Sequence, residues 1–215
     1  MKTIITSFAL LVLSVTTVRA QEPTMEDNLK EAVAIVDTAK GMPGLMTASA
    51  KFDLIANKYQ GEWLAQYYGA YTKAILSYFE PDVAKKDLYV DEADAYLDKI
   101  TALGTENDHV YVLKALVANA RMAVDGEHRW QEYGPIFEEN LKKAKELNEN
   151  NPQIYYLKAV SVFYTPKMFG GGAKKAKPYF EKAKEKYALM TERTVMVPYW
   201  GEPQNEDYLK QVNAD

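Results

Sequence analysis

Two histidines, His109 and His128, are the only imidazoles in this 215-residue chain, and cysteine is absent. Neither histidine belongs to an H-E-x-x-H or comparable ligand spacing. Glu127, His128 and Glu132 are near enough in sequence to face one metal ion from the start of a helix, but a solvated loop histidine is the commoner use of such a residue. Past the first twenty residues serine occurs only at Ser49, Ser77 and Ser161, each inside a predicted helix and without a G-x-S-x-G elbow. No spacing marks a carboxylate pair; Asp91, Glu92, Asp94 and Asp98 cluster as acids do at a helix N-terminus, where the dipole favours negative charge. Phe169-Gly-Gly-Gly-Ala-Lys-Lys175 leads into a helix and could hold an anion on free amides. It lacks the order of a phosphate loop and no strand precedes it, so a flexible turn is the expectation. The inventory predicts no enzyme, no metal site and no cofactor.

Tyrosine is what the chain has in quantity, sixteen against seven Phe and three Trp. Trp63, Tyr67, Tyr68, Tyr71, Ile75 and Tyr78 make one stretch aromatic nearly all round. Such a stretch is either a helix packed on both sides or an aromatic wall that binds a ligand.

The elements that must position these residues are helices in repeated pairs. Tyr155-Tyr-Leu-Lys-Ala159 echoes Tyr111-Val-Leu-Lys-Ala115 at a shift of 44. On the helices that follow, residues spaced four and then three apart recur as Ala48/Phe52/Ile55, Ala93/Leu97/Ile100, Phe137/Leu141/Ala144 and Ala176/Phe180/Ala183, one helical face each. From Ile55 to Ala70, Ile100 to Ala115 and Ala144 to Ala159 the separation is 15 every time. Small residues at such positions let two helices approach to the lower end of the ~8–10 Å packing range.

These residues resemble the tetratricopeptide repeat, with its small first-helix residue and its Ala-x3-Phe core on the second helix, matched best by Ala176, Phe180 and Ala183. The resemblance implies an all-α fold, a right-handed solenoid of about four helix-turn-helix pairs at about 24–59, 62–103, 107–148 and 152–188, with a capping segment at 195–213. The small residue and the next anchor are 23, 22 and 17 residues apart, more than a compact repeat needs. The extra length sits either in insertions at the turns, stacked along one edge, or in longer helices and looser turns. Within the pairs, Thr24 with Asp27 reads as a capping box, Gly41-Met-Pro-Gly44 as a turn, about Asp91 and about Tyr133 as helix starts, and Asp125 to His128 as a connection. The resemblance also implies a concave groove that holds a partner, and carries its inner-face positions onto Tyr67, Tyr71, Asn119, Gln153, Tyr156 and Tyr164. Val195-Met-Val-Pro-Tyr-Trp-Gly201 and a short last helix are expected to close the open end of the array, with Trp200 as anchor.

Lys2, the apolar run Ile4 to Val15 and Val18-Arg19-Ala20 read as a secretory leader cleaved after Ala20, leaving residues 21–215 as one domain in the periplasm or outside the cell. Without Lys2 and Arg19, 24 basic residues face 30 acidic ones, a net −6. That charge disfavours nucleic acid and anionic membranes as partners, and no second apolar stretch is long enough to span a bilayer. Lys174, Lys175, Lys177, Lys182, Lys184 and Lys186, interleaved with Glu181 and Glu185, read as a solvated helix face with supporting ion pairs. The functional expectation is a non-enzymatic binding or scaffold protein with a protein or peptide in its groove. The alternative is a small-ligand receptor, or an accessory of a solute transport system, that uses an aromatic pocket.

Overall fold

The computed structural model describes residues 22–214, so the expected leader lies outside the described residues. Among them the chain forms nine α-helices, a single 3-10 turn at Lys167–Phe169, and no strand. In order these are α1 (Met25–Thr38), α2 (Gly41–Lys58), α3 (Trp63–Phe79), α4 (Val83–Ala102), α5 (Asp108–Val124), α6 (Gly126–Leu147), α7 (Pro152–Tyr164), α8 (Ala173–Ala188) and α9 (Glu202–Ala214).

Local chemistry explains most of the boundaries. Thr24 and Asp27 exchange side-chain and backbone hydrogen bonds at the start of α1, and Pro152 opens α7 where its missing N–H costs nothing. Three starts differ from expectation. Gly41 to Gly44 is the first turn of α2 rather than a loop, because Pro43 falls where a helix has no amide partner to lose. Helix α4 begins at Val83, capped by Asp82, which accepts from the Lys85 amide at 3.0 Å. Helix α6 begins at Gly126 and contains Pro135. Asp125 ends α5 and caps α6 by accepting from the His128 amide at 3.4 Å, so the expected four-residue connection shrinks to one residue. The extra length of these pairs therefore lies in long second helices, 20 residues in α4 and 22 in α6, and not in insertions at the turns.

Consecutive helices touch throughout, and α5 also lies directly between α3 and α7. The inner row α3, α5, α7 is thus backed by α4, α6 and α8. The anchors of all four second helices are buried, Leu97 being the most accessible at 9%, and Ala70, Ala115 and Ala159 are fully buried where the rows meet. Burial of each such side chain contributes ~1.5–3 kcal/mol for the larger apolar ones. Charged bridges fasten the outer surface: Asp87 on α4 accepts from Arg129 at 2.5 and 2.8 Å and from Arg121 at 3.1 Å, joining α4, α5 and α6.

Helix α9 covers the α7–α8 end. Leu209 and Val212 pack with Ala159, Ala176 and Phe180, and Tyr208 stacks on Phe180 with ring centres 5.0 Å apart. The strap of residues 190–201 does something other than close this end. It runs back along the inner row, where the Tyr68 hydroxyl donates to the Val195 carbonyl at 2.8 Å and the Trp200 indole N–H donates to the Tyr67 hydroxyl at 2.9 Å. Trp200 therefore anchors the strap to α3 and α7, not to the end cap.

Candidate functional site

Tyr67, Tyr71 and Tyr78 lie four and then seven residues apart on α3, a spacing that keeps them along one side of a helix. Tyr156 and Tyr164 share a side of α7 in the same way. The packing of α3, α5 and α7 sets the two series opposite each other, and the strap and α9 complete the face.

Trp200 divides this face. Its ring lies against Tyr71, with centroids 5.2 Å apart and planes tilted by 30°, and meets Tyr156 edge-on at 6.2 Å. Beneath it Tyr67 is fully buried. Gln153 is buried too; turned with its oxygen toward the strap, it accepts from the Trp200 backbone N–H at 3.3 Å and indole N–H at 3.0 Å. Tyr187 donates to the Trp200 carbonyl at 2.7 Å, and the chain leaves the indole through Gly201 at φ +95°. A Cβ there would lie 2.7 Å from the Tyr187 hydroxyl and 2.9 Å from the Tyr156 ring, so glycine is required twice over.

Beyond Trp200 the face is open. Tyr78 keeps 38% of its surface and donates to the Asn119 side-chain oxygen at 2.8 Å, linking α3 to α5. Tyr164, 68% exposed, shares a 2.9 Å hydrogen bond with the hydroxyl of Tyr208, linking α7 to α9. Of the six positions expected in the groove, Tyr67 and Gln153 are closed off, Tyr71 and Tyr156 are partly covered by Trp200, and Asn119 and Tyr164 reach the open part. Tyr78 belongs to the face as the last member of the aromatic stretch that the sequence offered as a ligand-binding wall, though not as a groove position. Tyr208 was not expected there, because nothing in the spacing of α9 relates it to α7.

The hydroxyls of Tyr71, Tyr78, Tyr156 and Tyr208 are all pushed above the ordinary value near 10, chiefly by burial. They also act on one another: Tyr156 and Tyr208 raise Tyr78, and Tyr71 and Tyr164 raise Tyr156. Trp200 links the Tyr71 and Tyr156 rings, and Tyr164 meets Tyr208 edge-on at 6.3 Å. The exposed part of these rings offers π faces and hydroxyls, which suit a flat unsaturated molecule.

The histidines lie elsewhere. His109 lines a separate cleft with Asn150, Gln153, Lys186 and Pro198, and burial pushes its pKa down against the opposing pull of Asp108. The cleft holds about 210 Å³, below the ~300 Å³ at which ligand pockets usually begin. His128 is exposed, 2.9 Å from Asp125. Among the described residues no group of three or more His, Cys, Asp or Glu is placed to hold a metal ion.

An all-helical scaffold with a partly exposed tyrosine face is consistent with a protein of the binding class. No family model matches the chain, and no curated protein does. Among solved structures it is similar to the HusA haemophore from Porphyromonas gingivalis, with 33% identity and a TM-score of 0.77 over 91% of this chain and 96% of that one. This protein belongs to the family of that haemophore.

Proposed function

We propose that this protein is an exported tetrapyrrole-binding protein that holds its ligand against the tyrosine wall of Tyr71, Tyr78, Tyr156, Tyr164 and Tyr208. The observation that carries the reading is the partly exposed tyrosine face, tied across helices by the Tyr78–Asn119 and Tyr164–Tyr208 hydrogen bonds, in a chain 33% identical to a protein named as a haemophore. A haem-sized macrocycle is flat and apolar over its faces. Stacked rings contribute ~0.5–1.5 kcal/mol per pair beyond the area they bury.

The same face also admits the reading of a peptide held along a groove. Trp200 and the strap lie across the middle of that groove, which interrupts the channel a long peptide needs and so favours the compact ligand. The order of helix packing supports a solenoid of tetratricopeptide-like pairs as the scaffold. The leader read from residues 1–20 supports export, to the periplasm or beyond. Among the described residues no helix is long and apolar enough to cross a membrane.

Titration of ferric haem into the chain beginning at Gln21, followed by the Soret band, tests the reading. Wild type should form a saturable complex, and Tyr78→Ala/Tyr164→Ala should raise Kd about tenfold or more, about 1.4 kcal/mol, without changing the far-UV circular dichroism. Unsaturable uptake by wild type, or equal affinity in the double variant, would sink it.

A further inference from the structure

The turn between α7 and α8 serves neither the tyrosine wall nor the core. From Thr165 to Phe180 the sequence carries four lysines, Lys167, Lys174, Lys175 and Lys177, and no Asp or Glu. The 3-10 turn lifts Met168 and Phe169 into solvent, 83% and 72% exposed. The tip is a turn, as composition led one to expect, and backbone hydrogen bonds give it a defined geometry. The Gly171 amide donates to the Pro166 carbonyl at 3.3 Å and the Gly172 amide to the Val162 carbonyl at 2.9 Å. A Cβ on Gly171 would lie 2.1 Å from the Thr165 carbonyl oxygen, so the close backbone crossing depends on that glycine.

The lysines of this tip are also unlike those further along α8. Lys182 pairs with Glu185 and Lys184 with Glu206, as a solvated face with supporting pairs predicts. None of Lys167, Lys174, Lys175 and Lys177 forms an ion pair with any described residue. Lys174 and Lys175 are exposed in the first turn of α8, where positive charge opposes the helix dipole, so helix stability does not account for them. Two protruding apolar side chains on a tip that carries lysines without ion pairs have the chemistry of an interfacial contact: the apolar pair enters the boundary between headgroups and acyl chains, and the ammonium groups stay among headgroup phosphates.

We propose that this tip, residues 165–177, docks the protein onto an anionic lipid bilayer surface. The net charge of −6 without the leader argues against such a surface only if charge is averaged over the whole molecule. Screening limits each charge to about 10 Å at ~0.1 M salt, so a headgroup at the tip responds to the local lysines and not to the net charge of the whole molecule. The tip follows directly on Tyr164, so docking sets the open end of the tyrosine wall beside the bilayer. The docking itself does not depend on what that wall holds.

Co-sedimentation of the chain beginning at Gln21 with vesicles is the test. The protein should pellet with an equal mixture of phosphatidylcholine and phosphatidylglycerol at low salt, and much less with phosphatidylcholine alone or at high salt. Met168→Asp/Phe169→Asp and Lys174→Glu/Lys175→Glu should each lower the bound fraction about tenfold, while Lys142→Glu/Lys143→Glu on α6 leaves it unchanged; circular dichroism checks that each variant is folded. Wild type that stays in the supernatant with the mixed vesicles overturns the proposal and leaves a protein as the tip's partner. Equal pelleting of the wild type and both tip variants overturns it as well.

Discussion

Trp200 shows how one side chain divides a surface. Its indole N–H meets the Tyr67 hydroxyl at 2.9 Å, in a place from which water is excluded on the Tyr67 side. An unpaired buried hydroxyl costs ~1–3 kcal/mol, whereas removing both partners is nearly neutral. Trp200→Phe should therefore destabilise the protein by about 2 kcal/mol, and adding Tyr67→Phe should cost less than the same change in wild type. A double-mutant cycle by urea denaturation reads this as a coupling of about 1 kcal/mol; strictly additive losses would show that the hydrogen bond contributes nothing. The two residues are 133 positions apart, so no local spacing connects them. Tyr67 was legible as an inward-facing residue, but the residue that would cover it was not.

At the scale of elements, long second helices need fastening on their outer side, and Asp87 supplies it. Arg129 and then Arg121 hold its carboxyl below the usual carboxylate range. A carboxylate whose folded pKa lies below the unfolded value near 3.9 adds stability that is present above pH ~4 and lost as pH falls through the folded value. Asp87→Asn should thus cost about 1–2 kcal/mol at neutral pH, the worth of charge-assisted hydrogen bonds, and almost nothing near pH 2. Thermal melts of both chains across that range check it; a constant gap at all pH values would mean that Asp87 acts through packing and not through charge. The misread helix starts belong to this scale too. Asp82 and Asp125 are ordinary N-caps, but the helices behind them open on turns with no buried residue, and apolar periodicity picks up α4 and α6 only near where their buried faces begin, at Val90 and Phe137.

The whole molecule is closed by a segment with two separate tasks. Helix α9 covers the α7–α8 end through Leu209 and Val212, while the strap before it returns to α3. A chain ending at Leu189 should lose both contacts together, and its Tm should fall by about 10 °C, since each ~1 kcal/mol moves a domain of this size by ~2–4 °C. Its haem titration separates the tasks further: affinity retained after loss of Tyr208 and Trp200 would place the ligand on α3 and α7 alone. An unchanged Tm would make the whole segment a passenger. The sequence by itself determined that the described chain is helical, and it marked the residues that turn inward, because helical periodicity and small-residue spacing are local properties that every pair repeats. Periodicity names a face without naming what meets it. Only the tertiary path of the chain decided that the strap would cover Tyr67 and Gln153, that Tyr78, Asn119, Tyr164 and Tyr208 would stay open together, and that the four lysines of the tip would stand without an ion pair to any described residue.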